Sequence, residues 1–484
     1  MRINSDLKLV FNNHSEKTLF SGEGDEAVTY SEILDLAMPQ NLGQASSKLV
    51  ICVLGNSLSG LSGYFGLMLA RATQIVADVT KSVDSLNLYV SQFNPAFLWM
   101  PHSLKPSIPL SKVVYELGDY ILLELSPNDD KLIDPIETEV RLLLPTSGST
   151  GSPKLVKLTD ENIWSNAGEI VKYLDLLCSD VGITSLPPSY SFGLSVIHSH
   201  ALVGASIVVT SCTLFEKAFW EIFKSKSVTN FNGVPYHYEM LERLKFRERR
   251  VNDIRFMTQA GGRLSSELVR EYSKYCSGLD ASFYVMYGQT EASPRMSYIR
   301  HGVDCKKPDS IGKAIGRGEF SILLDDGTVA ASAGVIGELC YRGPNVSPGY
   351  ASSKKDWFVC SSEKHRWLRT GDLAYRDTDG DYHLVGRISR YVKVFGHRVS
   401  LDDLDLHLSG FGFEAVCGGS DDCIIVYVVD DSVETATQIM RALIEKFSFS
   451  KTAIQVVLID EFPRNLSGKI LYQELKVKIG RRIL

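Results

Sequence analysis

The sequence predicts an α/β protein with a large N-terminal domain, residues 1–388, and a small α+β domain, residues 389–484. Three observations predict this class. Strand and helix patterns alternate from residue 48 to residue 286, glycine-punctuated short strands follow from about Gly312, and strands and helices alternate again after Arg387. The chain has 484 residues, against roughly 100–200 for a usual domain. We therefore expect two doubly wound α/β lobes and a small β-rich lobe in the larger domain.

The alternation begins with a short apolar segment at 48–54 (KLVICVL), which is typical of a buried strand in a parallel sheet. Asn56 and Ser57 then predict the start of a helix that runs to about Ala72, and a second strand is predicted at 74–79. Together these elements form a βαβ unit. The segment 125–137 is rich in Pro, Asp and Asn and predicts an exposed linker between the two lobes.

Downstream of this linker the same patterns continue to the end of the chain. A helix is predicted at 160–177, with Thr159 as its N-cap, and Asp379-Gly380 predicts a hairpin turn between strands at 373–375 and 382–385. Further strands are predicted at 140–144, 183–186, 207–210, 254–258, 281–286, 424–429 and 454–459. Further helices are predicted at 402–408, 433–447 and 470–479.

The composition excludes several classes of protein. With 44% hydrophobic residues, 22% charged residues and a net charge of −6, the chain has no electrostatic reason to bind nucleic acid or an anionic membrane. The N-terminus lacks the apolar core of a signal peptide, and the most apolar later stretch, 58–72, is too short to cross a bilayer. Nine scattered cysteines without a CxxC pair indicate reduced thiols. A cytoplasmic protein with no membrane partner is expected.

The segment 144–154 (LPTSGSTGSPK) combines hydroxyl side chains, glycines and a lysine directly after a predicted strand. Such a loop can bind phosphates through backbone N–H groups, hydroxyl donors and one fixed positive charge. It departs from the GxxxxGK[ST] pattern at Pro153 and Leu155, which argues against a P-loop ATPase. Taken alone, the segment is also compatible with a Ser/Gly-rich surface connection.

Further motifs follow in a fixed order: QAGGR at 259–263, YGQTE at 287–291, TGDL at 370–373, GR at 386–387, KVFG at 393–396 and PRNLSGKI at 463–470. On these motifs the chain closely resembles the acyl-adenylate-forming superfamily of acyl-CoA synthetases, peptide-synthetase adenylation domains and firefly-type luciferases. The resemblance implies ATP-dependent activation of a carboxylic acid to an acyl-adenylate with release of pyrophosphate, then acyl transfer to a thiol. ATP and Mg²⁺ are the expected cofactors, and the C-terminal domain is expected to rotate between the two half-reactions.

The resemblance also implies which residues bind the nucleotide. Asp372 would accept hydrogen bonds from the ribose hydroxyls, and Glu291 would hold Mg²⁺, which prefers oxygen ligands beside substrate phosphates. The nucleotide-binding residues it implies are Thr146, Ser147, Gly148, Ser149, Thr150, Gly151, Lys154, Gly261, Gly262, Tyr287, Gly288, Gln289, Asp372 and Arg387.

Four catalytic residues are implied by the same resemblance: Lys469, Thr290, Glu291 and Lys393. The Lys469 ammonium can bridge the substrate carboxylate and the α-phosphate and so stabilise charge that develops in the transition state. Thr290 would contact the α-phosphate. Lys393 lies on the segment expected to reach the site after the rotation, and Ser389 occupies the hinge position where the family usually has Asp or Lys.

Tyr190, Ser191 and Asn232 are the predicted residues of the acyl pocket. Tyr190 suits an aromatic lid, although a packed core tyrosine is also possible, and Asn232 could equally serve helix entry. Amino-acid adenylation domains commonly have Asp at the position of Ser191 to pair with the substrate ammonium. Since serine carries no charge, an acid without an α-amino group is favoured.

Several alternatives stay open. Coenzyme A is the favoured acceptor, and the phosphopantetheine arm of a separate carrier protein comes second. The motifs are also compatible with two other functions: a stand-alone amino-acid adenylation domain, and a non-catalytic nucleotide-binding protein on the same fold. The spacing of His198 and His200 is compatible with a metal site, but the sequence pattern offers no third ligand. Helix or core histidines are therefore expected.

Overall fold

The computed structural model describes residues 3–80, 83–107, 111–125, 139–145, 154–248, 251, 253–356, 366–395, 397–430, 432–447, 449–464, 470–477 and 481–482. The chain forms two compact units. The large unit comprises Met1–Glu319 and Tyr341–Leu368, and the small unit comprises Phe320–Cys340 and Arg369–Leu484. The domain boundary at 388/389 stays a prediction.

The helices of the described chain lie throughout both units. In chain order they are α1 (Ile3–Asn13), α2 (Tyr30–Leu36), α3 (Leu58–Leu69), α4 (Val83–Phe93), α5 (Asp160–Leu174), α6 (Ser191–Val203), α7 (Lys217–Ser225), α8 (Pro235–Arg243), α9 (Ser266–Ser277), α10 (Leu401–Gly410), α11 (Val433–Phe447) and α12 (Tyr472–Val477). No helix in these ranges combines the length and the apolar character needed to cross a membrane.

The strands before residue 320 are β1 (Thr18–Ser21), β2 (Ala27–Thr29), β3 (Leu49–Leu54), β4 (Thr73–Asp78), β5 (Phe97–Pro101), β6 (Ser111–Leu117), β7 (Tyr120–Leu125), β8 (Val140–Pro145), β9 (Leu155–Thr159), β10 (Val181–Ile183), β11 (Ser206–Val208), β12 (Asn230–Gly233), β13 (Phe256–Gln259), β14 (Ser282–Gly288), β15 (Arg295–His301), β16 (Ser310–Ala314) and β17 (Glu319–Leu323). The later strands are β18 (Gly337–Arg342), β19 (Gly349–Ala351), β20 (Leu368–Arg376), β21 (Tyr382–Arg387), β22 (Tyr391–Val394), β23 (His397–Ser400), β24 (Ala415–Ser420), β25 (Cys423–Val429), β26 (Ile454–Ile459) and β27 (Arg481–Arg482). Their pairing defines the sheets.

The first sheet of the large unit has the order β19-β9-β8-β4-β3-β5-β7-β6. Its centre, β8-β4-β3-β5, is parallel, and the predicted βαβ unit is β3, α3 and β4. Every residue of β3 is buried, with alternate side chains in two different hydrophobic clusters. A Cβ at Gly63 of α3 would lie 2.2 Å from the Trp99 ring, so this glycine lets the helix pack closely on the sheet. The edge strands are antiparallel, which the sequence did not predict.

Two further sheets complete the large unit. One has the order β10-β11-β1-β2, and the other contains β12-β13-β14-β15-β16, in which β12, β13 and β14 are parallel. The predicted α5 begins at Asp160 with a capping box on Thr159 and ends at Leu174, three residues early, because Asp175 adopts a left-handed backbone with φ of 50°. Most of the predicted linker at 125–137 lies outside the described residues.

In the small unit, β21, β20, β18 and β17 are neighbours in that order, and β20 and β21 form the predicted hairpin. A second sheet has the order β24-β25-β26-β27, and residues of α10 and α11 share one hydrophobic cluster with it. α11 and β26 have the predicted bounds, and α12 begins two residues later than predicted. The α/β fold class is confirmed.

Candidate functional site

The YGQTE segment forms the connection between two antiparallel strands of the large unit. β14 ends at Gly288, Thr290–Ala292 form a 3₁₀ turn, and β15 begins at Arg295. A Cβ at Gly288 would lie 1.7 Å from the carbonyl oxygen of Pro294, so only glycine fits where the two strands separate. The connection therefore holds the predicted α-phosphate and Mg²⁺ residues at the end of a buried strand.

Three segments that are distant in sequence meet at this turn. The Thr290 and Ser191 hydroxyl oxygens are 3.1 Å apart. Gly261 has φ of +85°, and a Cβ at that position would lie 2.6 Å from the Tyr190 hydroxyl oxygen. The structure thus brings the predicted acyl-pocket residues Tyr190 and Ser191 together with one predicted adenine-binding glycine and the predicted α-phosphate contact.

Ser191 is the first residue of α6, a helix of 13 residues. The first backbone N–H groups of a helix have no partner within it, and the helix dipole places partial positive charge at this end. The Ser191–Thr290 pair therefore lies where a negatively charged ligand is favoured. This is the electrostatic environment that a phosphate or a carboxylate requires.

Glu291 is oriented by a residue that sequence reasoning missed. The Tyr350 hydroxyl donates to Oε1 of Glu291 over 2.8 Å, and the backbone N–H of Ser347 donates to the Glu291 carbonyl over 2.8 Å. Burial and then the nearby carboxylate raise the pKa of Tyr350, so the phenol stays protonated and donates. A carboxylate with a fixed direction suits an Mg²⁺ ligand beside phosphates. Tyr350 follows the motifs on β19, and no local pattern distinguishes it.

Two buried asparagines donate hydrogen bonds to the backbone of the connection between β14 and β15. Nδ2 of Asn345 donates to the carbonyl oxygens of Ala292 and Arg295, each over 2.7 Å, and Nδ2 of Asn166 donates to the Arg295 carbonyl over 2.8 Å. These residues are 2% and 1% exposed. They satisfy backbone carbonyls that would otherwise be buried without a donor. Neither asparagine was predicted from the sequence. Asn166 could have been noticed as an amide on the apolar face of α5, and Asn345 has no comparable local signal.

Asn232 lies in a buried network beside the site. Its Oδ1 accepts from the Thr258 hydroxyl over 2.7 Å, and its Nδ2 donates to Oδ1 of Asn230 over 2.8 Å. Asn230 in turn contacts Nε2 of His200 over 3.0 Å. Asn232 also lines a small cavity with Arg295 of β15. The Asn232 amide therefore forms its hydrogen bonds with other protein side chains, and the residue forms part of the cavity wall.

His198 and His200 are core histidines. His198 is 4% exposed and its Nε2 lies 2.8 Å from the Tyr64 hydroxyl. Burial lowers the pKa of His198 to about 3 and lowers that of His200 as well. Within the described ranges no group of three His, Cys, Asp or Glu side chains could hold a metal ion.

The small unit carries the predicted ribose-binding pair. Asp372 of β20 and Arg387 of β21 are partners in register, with Nε of Arg387 2.9 Å from Oδ1 of Asp372. The backbone N–H of Arg387 also donates to Asp402 over 3.2 Å. Lys393 is exposed on β22, and its backbone N–H donates to Asp421 over 2.8 Å. The Arg387 guanidinium thus orients the carboxylate predicted to bind the ribose.

The other predicted residues have these places. Lys154 is exposed directly before β9, Gly262 follows β13 and accepts from the Gln259 side chain, Tyr287 is buried near the end of β14, and Gln289 precedes the 3₁₀ turn. Lys469, Thr146, Ser147, Gly148, Ser149, Thr150 and Gly151 lie outside the described residues. Their roles stay predictions.

The sequence profile of the family described as AMP-binding enzyme matches residues 9–351. The chain belongs to this family. Its relatives include a probable CoA ligase of Humulus lupulus, 25% identical over 96% of this chain and 94% of the relative, and an oxalate–CoA ligase of Arabidopsis thaliana, 25% identical over 96% of each. The o-succinylbenzoate CoA synthetase of Bacillus subtilis, solved with its acyl-adenylate, superposes with a TM-score of 0.78 at 20% identity, covering 99% of this chain and 98% of that one. The predicted superfamily is confirmed.

Proposed function

We propose that this AMP-binding enzyme is an AMP-forming acid–thiol ligase. It activates a carboxylic acid with ATP to an acyl-adenylate, releases pyrophosphate, and transfers the acyl group to coenzyme A. One observation carries the proposal: the Ser191–Thr290 hydroxyl pair, 3.1 Å apart, lies at the N-terminus of α6 beside the packed Tyr190–Gly261 contact. Hydroxyl donors and a helix N-terminus in one place suit a phosphate and a carboxylate that must react together.

In the first half-reaction a carboxylate oxygen of the acid attacks the α-phosphorus of ATP, and pyrophosphate leaves. The Thr290 hydroxyl can donate to the α-phosphate, and Lys469 would stabilise the charge that develops between the two reactants. Mg²⁺, when bound to Glu291, would neutralise part of the phosphate charge. In the second half-reaction the sulfur of the thiol attacks the acyl carbonyl, the thiol proton is lost, and AMP leaves.

The acid that we propose lacks an α-amino group. Ser191 has no charge to pair with an ammonium, and its hydroxyl is already engaged with Thr290. Two of the relatives are named as ligases for oxalate and for 2-succinylbenzoate, which are acids without an α-amino group. A separate carrier protein is the second candidate for the acceptor. The described cysteines are free thiols, which supports a reducing compartment such as the cytoplasm.

The test is mass-resolved ATP consumption with a panel of carboxylic acids without an α-amino group, with and without coenzyme A. We expect acid-dependent AMP and pyrophosphate, and a thioester when coenzyme A is present. Lys469→Ala should lower the rate of AMP formation about 10²–10³-fold. Lys451→Ala, a change at an exposed lysine of the same unit, should leave the rate unchanged.

Two results would overturn the proposal. ADP as the only nucleotide product would indicate a phosphohydrolase, and the absence of AMP with every acid would indicate a binding protein. AMP formation without coenzyme A thioester, but with acyl transfer to a phosphopantetheinylated carrier, would keep the activation step and change the acceptor.

A further inference from the structure

Arg295, the first residue of β15, is a buried cation close to the proposed reaction centre. It is 3% exposed, and its guanidinium carbon lies 3.9 Å from the centre of the Phe192 ring. Phe192 directly follows Ser191, whose hydroxyl contacts Thr290. The guanidinium is thus separated from the hydroxyl pair by one side chain, that of Phe192.

No carboxylate of the described chain forms an ion pair with Arg295. The charged and polar groups that act on its guanidinium are the hydroxyls of Tyr173 and Tyr190, and its Nε is buried without a hydrogen-bond acceptor among the described residues. Burial lowers the pKa of this guanidinium. A buried cation without an anion is costly, because desolvation is not offset by a partner. The fold therefore keeps a cationic group whose counter-ion it does not supply.

Arg295 also lines a cavity. The polar side chains around the cavity are those of Tyr173, Ser195, Ser199, His200 and Asn232. Its volume of about 10 Å³ is room for the centre of one water molecule. A larger group would displace that water and require a neighbour to move; Met286, which also lines the cavity, has the flexible side chain that such an adjustment needs.

We propose that Arg295 determines specificity by binding a second carboxylate of the substrate, so that the acid activated is a short dicarboxylic acid. This inference rests on the proposed function. A guanidinium has the planar pair of donors that matches a carboxylate, and the substrate would complete the ion pair that the chain leaves open. Because the Phe192 side chain separates the guanidinium from the hydroxyl pair, the second carboxylate would be the one at the end of the acyl chain remote from the adenylate.

The experiment compares matched pairs of acids on the whole enzyme. Each pair consists of a dicarboxylic acid of about three to six carbons, short enough for a small buried pocket, and the half-amide of the same acid. The half-amide has the same shape and no second charge. The measured quantity is kcat/KM for AMP formation. We expect the wild-type enzyme to prefer at least one dicarboxylic acid over its half-amide by about 10²-fold, since losing one partner of a buried charge pair has an effect of this order.

Variants separate recognition from a structural role. Arg295→Gln should lower kcat/KM for the preferred dicarboxylic acid about 10²-fold through KM, while KM for ATP and kcat/KM for the half-amide stay unchanged. Arg295→Lys, which keeps the charge but loses the bidentate geometry, should retain part of the preference. Arg300→Gln, at an exposed position of the same strand, should change none of these values.

The outcomes distinguish this inference from the proposed function. If half-amides or monocarboxylic acids give AMP and the dicarboxylic acids are not preferred, the second-carboxylate proposal is wrong and the ligase proposal stands. If Arg295→Gln lowers kcat/KM for all acids equally, Arg295 has a structural role only. If Arg295→Gln does not fold, the wild-type preference and Arg295→Lys decide the question. If no acid of either set gives AMP, the proposed function itself fails.

Discussion

Arg295 in the large unit and Arg390 in the small unit are both largely shielded from solvent, but their surroundings differ. Arg295 is 3% exposed, and the side chain of Arg390 is 13% exposed. Nε of Arg390 lies 2.5 Å from Oδ1 of Asp402, and its Nη2 forms an ion pair with Asp405. Burial alone would lower the pKa of either guanidinium. The two carboxylates reverse this effect, so that the pKa of Arg390 is raised, whereas that of Arg295 is lowered. The comparison teaches that the protein itself supplies the carboxylates for a structural cation, whereas a cation that binds a ligand has no carboxylate partner within the described chain.

Breaking the paired arginine should have the largest effect. In Arg390→Met two half-buried carboxylates lose their cation, so the free energy of opening α10 and β24 should fall by about 1–3 kcal/mol, between the values for exposed and buried ion pairs. Hydrogen exchange of peptides from these elements measures it. Arg441→Met, at an exposed position of α11, is the matched control. Unchanged protection in Arg390→Met would mean that the ion pairs are not what stabilises this region.

His198 in the large unit and Asp405 in the small unit should contribute to the pH dependence of stability with opposite signs. Burial lowers the pKa of His198 from 6.5 to about 3, so the contribution of this group to the stability of the large unit falls as pH drops from 6.5 to 3. Burial raises the pKa of Asp405 from 3.8 to about 7. The folded small unit therefore binds the proton more tightly, and this contribution to its stability is lost as pH rises from 3.8 to 7.

Urea unfolding at several pH values tests these signs. All five tryptophans precede residue 369 and belong to the large unit, so their fluorescence reports on that unit. Hydrogen exchange of α10 peptides, corrected for the intrinsic pH dependence of exchange, reports on the small unit. Asp405→Asn should weaken the pH dependence of the stability of the small unit and leave that of the large unit unchanged. An unchanged pH dependence of the small unit in Asp405→Asn would contradict the prediction.

Replacing the unpaired arginine should have the smallest effect on stability. In Arg295→Met the lost contact with the Phe192 ring is offset by removal of a desolvated charge, so the free energy of unfolding should change by less than about 1 kcal/mol. Tryptophan fluorescence in urea measures it, with Arg300→Met as the control. A loss as large as that expected for Arg390→Met would place Arg295 among the structural residues and would weaken the substrate proposal.

Elements with a strong local pattern were predicted well. α11 has the predicted bounds because its apolar residues recur at helical spacing, and the cap of α5 was predicted because Thr159 satisfies the first N–H groups locally. The pairing of β9 was missed. This strand lies between β8 and the edge strand β19, antiparallel to both. Its contact with β19 joins residues roughly 190 positions apart in the chain, a separation that no local pattern reports. Short buried strands such as β10 were displaced by two or three residues.

The sequence by itself determined the family, the fold class and the motif residues, because glycine-rich turns, caps and apolar periodicity are local properties of the chain. Only the tertiary structure decided what surrounds each of them. Asn166 and Asn345 meet at one carbonyl, Tyr350 reaches Glu291, and Arg295 is buried without a carboxylate beside it in the described chain. Such contacts join residues far apart in sequence, and the cost of burying a charge depends on all the neighbours that packing brings to it.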